Sequence, residues 1–450
     1  MSNLSPRLTE TSPPTASTRP ADSVPRPTNV RYGVLALLAA VAVIAYVERN
    51  SISILQEPIQ TDFLVDKDSL SLLMATFFIG YSLMQLPAGW IADRWSTRKA
   101  LTVCAVGWSL AGALMAVVPA YVGLFPLWLL AGVMQAGAFP FAMIAIRNWL
   151  PVTRRALGSG VLGSSMSLGQ AISPPLTSML LIWLSWRWTL VALSVPGIAW
   201  AALFYFWFRD RPADHWQVNR AELDLVRHGM PAQDANAGAR AAAPPTPWRG
   251  LLTSPAMWAL CSQHFFRAIA FVFFGTWFPT FLKETRGISL EEAALLTSPP
   301  LIAGVIGGLL GGYLSDWLLV RSGSRRVARQ GFAAANLLIC AVLFGAAFFA
   351  ANVQAAVVLI TVGTFFASLA GVCAYAITID MGGQHVGTVF SLMNMCGNVG
   401  GAVCPIIVTY LVGWMGDWGP VIFLMAGCYV AAAVSWLLLN PNGTVLDHQA

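Results

Sequence analysis

Charge is scarce in this sequence. Of 450 residues, 10% are Asp, Glu, Lys or Arg and 57% are hydrophobic, whereas a soluble domain carries about 25% charged residues to wet its surface. That shortage argues against a soluble enzyme and sends the surplus apolar surface into lipid. Continuous apolar runs such as Val34 to Val47 and Ala341 to Ala351 exclude a strand-built pore, which would show short alternating segments. The seven cysteines include no CxxC pair and have no His partners at ligand spacing, so neither disulfides nor a metal site is expected, and no cofactor is called for. The net charge of +6 lacks the aromatic-interleaved basic patch of a nucleic-acid binder. Residues 1–30 are rich in Pro, Ser and Thr and lack an apolar stretch followed by a small-residue cleavage site. They are expected to form a disordered cytoplasmic tail.

What is present is a series of apolar stretches, each close to the roughly 20 residues that one membrane crossing needs. They read as twelve spans at 32–54, 70–93, 99–118, 122–148, 157–182, 186–208, 256–282, 293–319, 330–350, 354–379, 387–412 and 420–439. The basic residues fall in alternate connections. Arg7, Arg19, Arg26 and Arg31 precede span 1, Arg94, Arg98 and Lys99 follow span 2, Arg154 and Arg155 follow span 4, and Arg321, Arg325, Arg326 and Arg329 follow span 8. The opposite connections hold only Lys67, Arg187, Lys283 and Arg286. By the positive-inside rule both termini are cytoplasmic, and the expected location is a bacterial inner membrane.

The longest hydrophilic stretch, 209–255, carries six arginines from Arg209 to Arg249 and reads as a cytoplasmic linker dividing two six-helix bundles, 31–208 and 256–440, with 441–450 as a cytoplasmic tail. Gly89-Trp-Ile-Ala-Asp93 recurs as Gly312-Tyr-Leu-Ser-Asp316, each followed by a basic cluster. A displaced copy is the trace of two parallel repeats, which place a solute site at their interface near the midplane.

The stretch Gly89-Trp-Ile-Ala-Asp-Arg-Trp-Ser-Thr-Arg98 resembles the signature loop of the major facilitator superfamily, with Ser96 in place of a usual Gly. Tyr46-Val-Glu-Arg-Asn50, Tyr81-x-x-x-Gln-Leu-Pro-x-Gly-Trp90, Trp277 to Gly287 and Phe390-Ser-Leu-Met-Asn394-x-x-x-Asn398-x-Gly-Gly401 narrow the resemblance to the anion:cation symporter family of sugar-acid, phthalate and vesicular glutamate transporters. It covers residues 31 to 440. It implies an all-α integral membrane protein of twelve helices that moves a small organic anion, with protons or another cation, by alternating access as a monomer.

A charge near the bilayer centre costs at least about 2.5–3.5 kcal/mol, so each is a functional candidate. Only Glu48, Arg49 and Arg267 fall deep inside the expected spans. A guanidinium grips a carboxylate with two parallel hydrogen bonds, and the family uses an Arg at the position of Arg49 for its anion. Arg267 stands where vesicular glutamate transporters carry an intramembrane Arg; two arginines from opposite halves would clamp a dianion. Glu48 occupies the family's proton-carrying position on span 1. Burial favours its protonated form and Arg49 its charged form, a physical coupling device; a permanent Glu48–Arg49 pair is the bland alternative. His264, one turn from Arg267, is a second candidate for a proton, or a satisfied interior His.

The resemblance also brings Tyr81, Asn394 and Asn398 to the cavity, with Tyr375 in place of a frequent Trp. Two departures bear on the solute. A usual Arg and Glu on span 4 read Trp128 and Gln135, and a frequent Gln on span 5 reads Met166. Gln135 can still hydrogen-bond a solute, but the lost polar groups favour an aromatic or short aliphatic carboxylate over a sugar acid. The missing Glu leaves Glu48 alone to carry the proton, or leaves a facilitative or exchange carrier.

In the family the Asp of the signature loop meets a helix N-terminus across the halves and holds the cytoplasmic side shut, which assigns gating to Asp93, Arg94 and Arg98, with Asp316 beside Arg325 and Arg326 as the counterpart. A solvated loop is the alternative. The glycines of 304–312 and 397–401 mark faces where helices approach closely. Two rivals stand: an efflux pump for amphipathic drugs, which would need no deep arginines, and a membrane sensor, for which the linker offers no signalling domain.

Overall fold

The computed structural model describes residues 26–228, 245–288, 290–350 and 352–447. Most of the expected N-terminal tail (1–25), part of the linker (229–244) and the last three residues lie outside the described residues.

The described chain is helical, and twelve segments cross: span 1 Val30–Ile54, span 2 Lys67–Ala92, span 3 Thr97–Met115, span 4 Leu124–Gln135 with Ala138–Trp149, span 5 Arg155–Trp183, span 6 Trp186–Trp207, span 7 Pro255–Thr276, span 8 Leu290–Ser322, span 9 Phe332–Phe348, span 10 Val353–Met381, span 11 Val386–Met415 and span 12 Gly419–Leu438. Starts are set by side chains that accept the first free amides. Asp66 takes Ser69 N at 2.9 Å before span 2, Ser254 takes Met257 N at 3.3 Å before span 7, and Asn352 takes Ala355 N at 2.7 Å before span 10.

Span 4 is broken after Gln135. Pro140 lacks an N–H and its ring crowds the carbonyl four residues back, which is that of Ala136, so the helix parts there. Three residues before the break, Gly132 presses against the backbone carbonyl of Phe77 so closely that a Cβ would collide with it. Span 7 ends earlier than its sequence pattern implies. The chain turns at Trp277 and restarts as Phe278–Arg286 with Pro279 in the first turn, where a missing N–H is harmless.

The stretch after span 6 is structured rather than a plain tether. Asp210 caps span 3, accepting from Arg98 N at 2.9 Å and from the Ser96 hydroxyl. His215 is buried and stacks on Trp216, with Trp149 and Trp207 edge-on to it. Glu222, on the short helix Arg220–Arg227, is fully buried and accepts from the Thr28 hydroxyl, Val30 N, Arg31 N and the Arg31 guanidinium. Burial pushes this carboxyl up, but the hydrogen bonds from Arg31, Thr28 and Val30 outweigh it and hold the group below its ordinary value. The clasp is therefore fully present above the usual glutamate pKa of about 4.3 and is lost as the pH falls below it. The C-terminal segment packs as well: Val445 is buried, donates to Met381 O and accepts from Ser254 Oγ.

Span 2 packs along span 11 and span 5 along span 8, joining the first six spans to the last six. Described hydrogen bonds between the two sets concentrate at the end that carries the basic loops. Asp93 accepts from Gly387 N (2.6 Å), Thr388 N (2.9 Å) and Thr388 Oγ1 (2.6 Å), the first turn of span 11. Asp316 does the same at the first turn of span 5, from Ala156 N (3.3 Å) and Leu157 N (2.7 Å). Beside it Arg155 meets Asp380 at 3.2 Å, and Arg329 bridges Asp380 at 3.3 Å and Asp316 at 2.8 Å. The basic end of the bundle is thus shut.

Candidate functional site

Glu48 and Arg49 are neighbours on span 1, and successive helical side chains point about 100° apart, so the two diverge. Among the described residues they form no ion pair. Glu48 turns to span 3, where Ser109 Oγ donates to Oε1 at 2.9 Å. Gly197 on span 6 makes room, since a Cβ there would lie 2.7 Å from Glu48 Oε1.

Arg49 turns the other way, into four rings. Its guanidinium carbon lies 5.4 Å from Tyr46, 5.0 Å from Phe77, 4.6 Å from Phe78 and 5.4 Å from Tyr81. All are within the roughly 6 Å over which a ring face attracts a cation. Such contacts hold the guanidinium in plane while occupying none of its five N–H donors. Trp128 backs the collar at 5.0 Å from Phe77, and Tyr81 stacks on Phe77 at 6.1 Å. Gln135 is buried and donates to Ala45 O at 2.9 Å.

From this collar a polar path leads into the last six spans. Tyr81 faces Asn394 on span 11, and Asn394 faces His264 on span 7. The His264 ring lies 5.9 Å from Tyr375 on span 10, which rests on Phe390 at 5.5 Å. Tyr375 also meets span 5 at Gly163, one turn from Met166. His264 Nδ1 stands 3.4 Å from Arg267 Nη2, a group that can only donate. Arg267 lies against Gly371, where a Cβ would be 3.0 Å from Nη1. Its Nε is buried without a partner, as is Asn398 Nδ2. The structure therefore places Arg49 and Arg267 at opposite ends of one polar, aromatic centre, each without a carboxylate among the described residues.

At the basic end, Asp93 sits one residue past the end of span 2. Burial pushes its carboxyl up to about 6, against the hydrogen bonds from Thr388 and Gly387 that pull it down. Arg94 donates to Thr246 Oγ1 at 3.0 Å and lies over Trp90 at 4.4 Å, while Arg98 lies over Tyr205 at 4.4 Å and donates to its carbonyl. Two expectations are corrected. Arg329, not Arg325 or Arg326, is the ion-pair partner of Asp316. Arg49 and Arg267 are also not alone in being sunk in the bundle, because Arg155 and Arg329 are 4% and 0% exposed. These two lie at span ends beside loops, where sequence position alone reads them as solvated.

Two of the rings around Arg49, Phe77 and Phe78, carry no signal in the sequence motifs. Phe77 and Phe78 are ordinary apolar residues in the sequence, and only their one-turn spacing from Tyr81 could have singled them out.

Residues 37–335 match the Major Facilitator Superfamily. The chain is 31% identical to a probable sulfoacetate transporter of Cupriavidus necator over 92% of this chain and 95% of that one. It is 28% identical to a D-galactonate transporter of Escherichia coli, over 92% and 96%. Among solved structures it is similar to a proton:xylose symporter (TM-score 0.69, 16% identity, 91% and 96% covered). A fucose:proton symporter of Escherichia coli is similar too, with TM-score 0.64, 18% identity, and 92% and 100% covered. The chain is an integral membrane protein of the major facilitator superfamily, a family of transporters and not of enzymes.

Proposed function

We propose that the protein carries a small organic anion through the membrane by alternating access, in symport with a proton. The observation that carries this is Arg49: a guanidinium inside the bundle, held flat by four rings and, among the described residues, paired to no carboxylate. An uncharged amphipathic drug would gain nothing from such a group. Arg267 offers a second cation, and Tyr81, Asn394, Asn398, Tyr375, Gln135 and Met166 complete the wall between them. His264 positions Arg267 through Nδ1. Asp93 and Asp316, each capping a helix of the other half, are the gate, with Arg94 and Arg98 fixing the loop around Asp93. The basic end faces the cytoplasm of a bacterial cell, with both termini inside, and the protein acts as a monomer.

The cargo is a short dianion with few hydroxyls. Trp128 offers no acceptor and Met166 only a weak one for a sugar hydroxyl, and two cations suit two anionic ends. Sulfoacetate, in the name of the Cupriavidus relative, has this chemistry: a sulfonate and a carboxylate one carbon apart. The test is thermal stabilisation of purified protein against sulfoacetate, galactonate, glucarate and benzoate at pH 5.5 and 7.5. A ligand at 100 times its dissociation constant stabilises by about 2.7 kcal/mol. Sulfoacetate is expected to raise the melting temperature most; stabilisation by uncharged amphiphiles alone would refute the reading.

Glu48 is the proton carrier. Its Oε1 accepts from Ser109 of span 3, and it shares one small cavity with Arg49 without pairing to it among the described residues, so proton and anion sites adjoin. Glu48→Gln fixes the neutral form. Exchange of labelled anion across proteoliposomes should survive at about the wild-type rate, while accumulation driven by a pH gradient should vanish. Accumulation that persists would place the proton elsewhere.

A further inference from the structure

Glu48, Trp108, Trp128 and Gln135 line one small cavity within the first six spans, together with Arg49, Gly112 and Ser194. Its free volume of about 20 Å³ is room for one water, which needs at least about 10–15 Å³. Three buried polar atoms without a protein partner belong to that lining: Trp108 Nε1, Trp128 Nε1 and Gln135 Oε1. The residues are 1%, 4% and 3% exposed. Trp108 Nε1 turns toward the Glu48 carboxylate without reaching hydrogen-bond geometry. Oε1 of Glu48 is taken by Ser109, and Oε2 carries none of the described hydrogen bonds.

We infer that this cavity is a binding site for a single water that holds Glu48 in its charged form during the transport cycle. The donor count dictates the orientation. The two indole N–H groups and the Arg49 guanidinium in the lining can only donate, so between them they take both lone pairs of the water. Both its hydrogens must then go to acceptors, and the side-chain oxygens of the lining that are not hydroxyls and take no described hydrogen bond are Gln135 Oε1 and Glu48 Oε2. A water pinned this way donates to a carboxylate and cannot accept from a carboxylic acid. It therefore discriminates in favour of the ionised form. Trp128 and Gln135, which stand where the resembling transporters carry a charged pair, become the water's clamp.

The surroundings of Glu48 add no competing titration. Span 2 contributes Phe77, span 3 Trp108 and Gly112, span 4 Trp128, Ala131 and Gln135, and span 6 Leu190, Leu193 and Ser194, with Ser109 bonded to Oε1; Arg49 is the one other charged group in the lining. Span 5, on the far side, gives Ser173, which donates to Val47 O at 2.8 Å.

Gly112→Ala tests the site without removing any polar group. The new methyl would lie 3.2 Å from Ser194 Oγ and 3.9 Å from Glu48 Oε2, inside the cavity, and Ala is the better helix former. Trp128→Phe is the second variant: it keeps a ring against Phe77 and removes one donor. The readout is the carboxylic-acid band of Glu48 in pH-difference infrared spectra of detergent-purified protein, identified by its loss in Glu48→Gln. In both variants the band should persist to higher pH than in wild type, by about one pH unit or more, the worth of one hydrogen bond to a charged group. Titration unchanged in both, with the protein folded, would overturn the inference.

The consequence for transport rests on the proton-coupled reading above, whereas the infrared titration requires no transport. A shifted band with unaltered pH-driven accumulation of sulfoacetate would keep the water and sink the coupling role. An unshifted band would sink the water and leave the coupling to Glu48→Gln.

Discussion

Replacing Arg49 with Lys is expected to lower uptake of the anion by about 100-fold, with the protein present in the membrane at wild-type abundance. The charge is conserved, so loss of activity would isolate geometry. Within the collar of Tyr46, Phe77, Phe78 and Tyr81, a flat guanidinium lies against the ring faces and still presents two parallel N–H groups to a carboxylate or sulfonate. An ammonium is compact and more strongly hydrated, makes one-point contacts, and draws water into a space the rings keep dry. Losing the second charge-assisted hydrogen bond costs about 1.5–3 kcal/mol, which at about 1.4 kcal/mol per tenfold accounts for a loss of that size. The rings pack on one another, Phe77 on Tyr81 and on Trp128, so the unliganded fold should keep its melting temperature. Initial uptake rates in proteoliposomes, with thermal unfolding measured beside them, check both halves of the statement. Wild-type uptake in the variant would remove Arg49 from the site.

The spans were legible because lipid tolerates so few charges: where 10% of residues are charged, their clusters mark the loops. The break in span 4 follows from Pro140, and the paired Asp93 and Asp316 follow from the recurrence of their loops. What the sequence could not reveal is pairing across distance. Arg329 precedes an apolar run and reads as one more basic loop residue, yet it is folded inward onto carboxylates 13 and 51 residues away. Glu222 sits in a hydrophilic stretch that reads as linker, yet it closes the start of span 1 across 191 residues. Direction is equally hidden. Adjacent numbers suggest that Glu48 and Arg49 share a site, while the helical turn between them sends one to Ser109 and the other into the rings.

The network around Arg329 leads to the second large effect. Its guanidinium is fully buried and spends Nε on Asp380, Nη1 on Ser315 Oγ at 2.6 Å and Nη2 on Asp316. Asp316 in turn holds the first amides of span 5, and Asp380 holds Arg155. One cation thus neutralises two buried carboxylates that tie spans 8 and 10 to span 5. Arg329→Met preserves much of the side-chain volume and removes the charge. Asp380 keeps Arg155, but Asp316 is left buried with backbone amides alone, and breaking a buried pair in this way costs about 3–5 kcal/mol. The melting temperature is expected to fall by roughly 5 °C. The triple variant Arg329→Met, Asp316→Asn, Asp380→Asn should recover part of that loss, because it removes the stranded charges rather than restoring the pair. Recovery would show that unpaired charge is the cause, and that the same carboxylates which lock the basic end depend on a cation from outside their own helices. A variant that melts within about 1 °C of wild type would mean that water reaches these groups and screens them, so that the shut end of the bundle is held by the glycine-lined contacts of spans 5 and 8 instead.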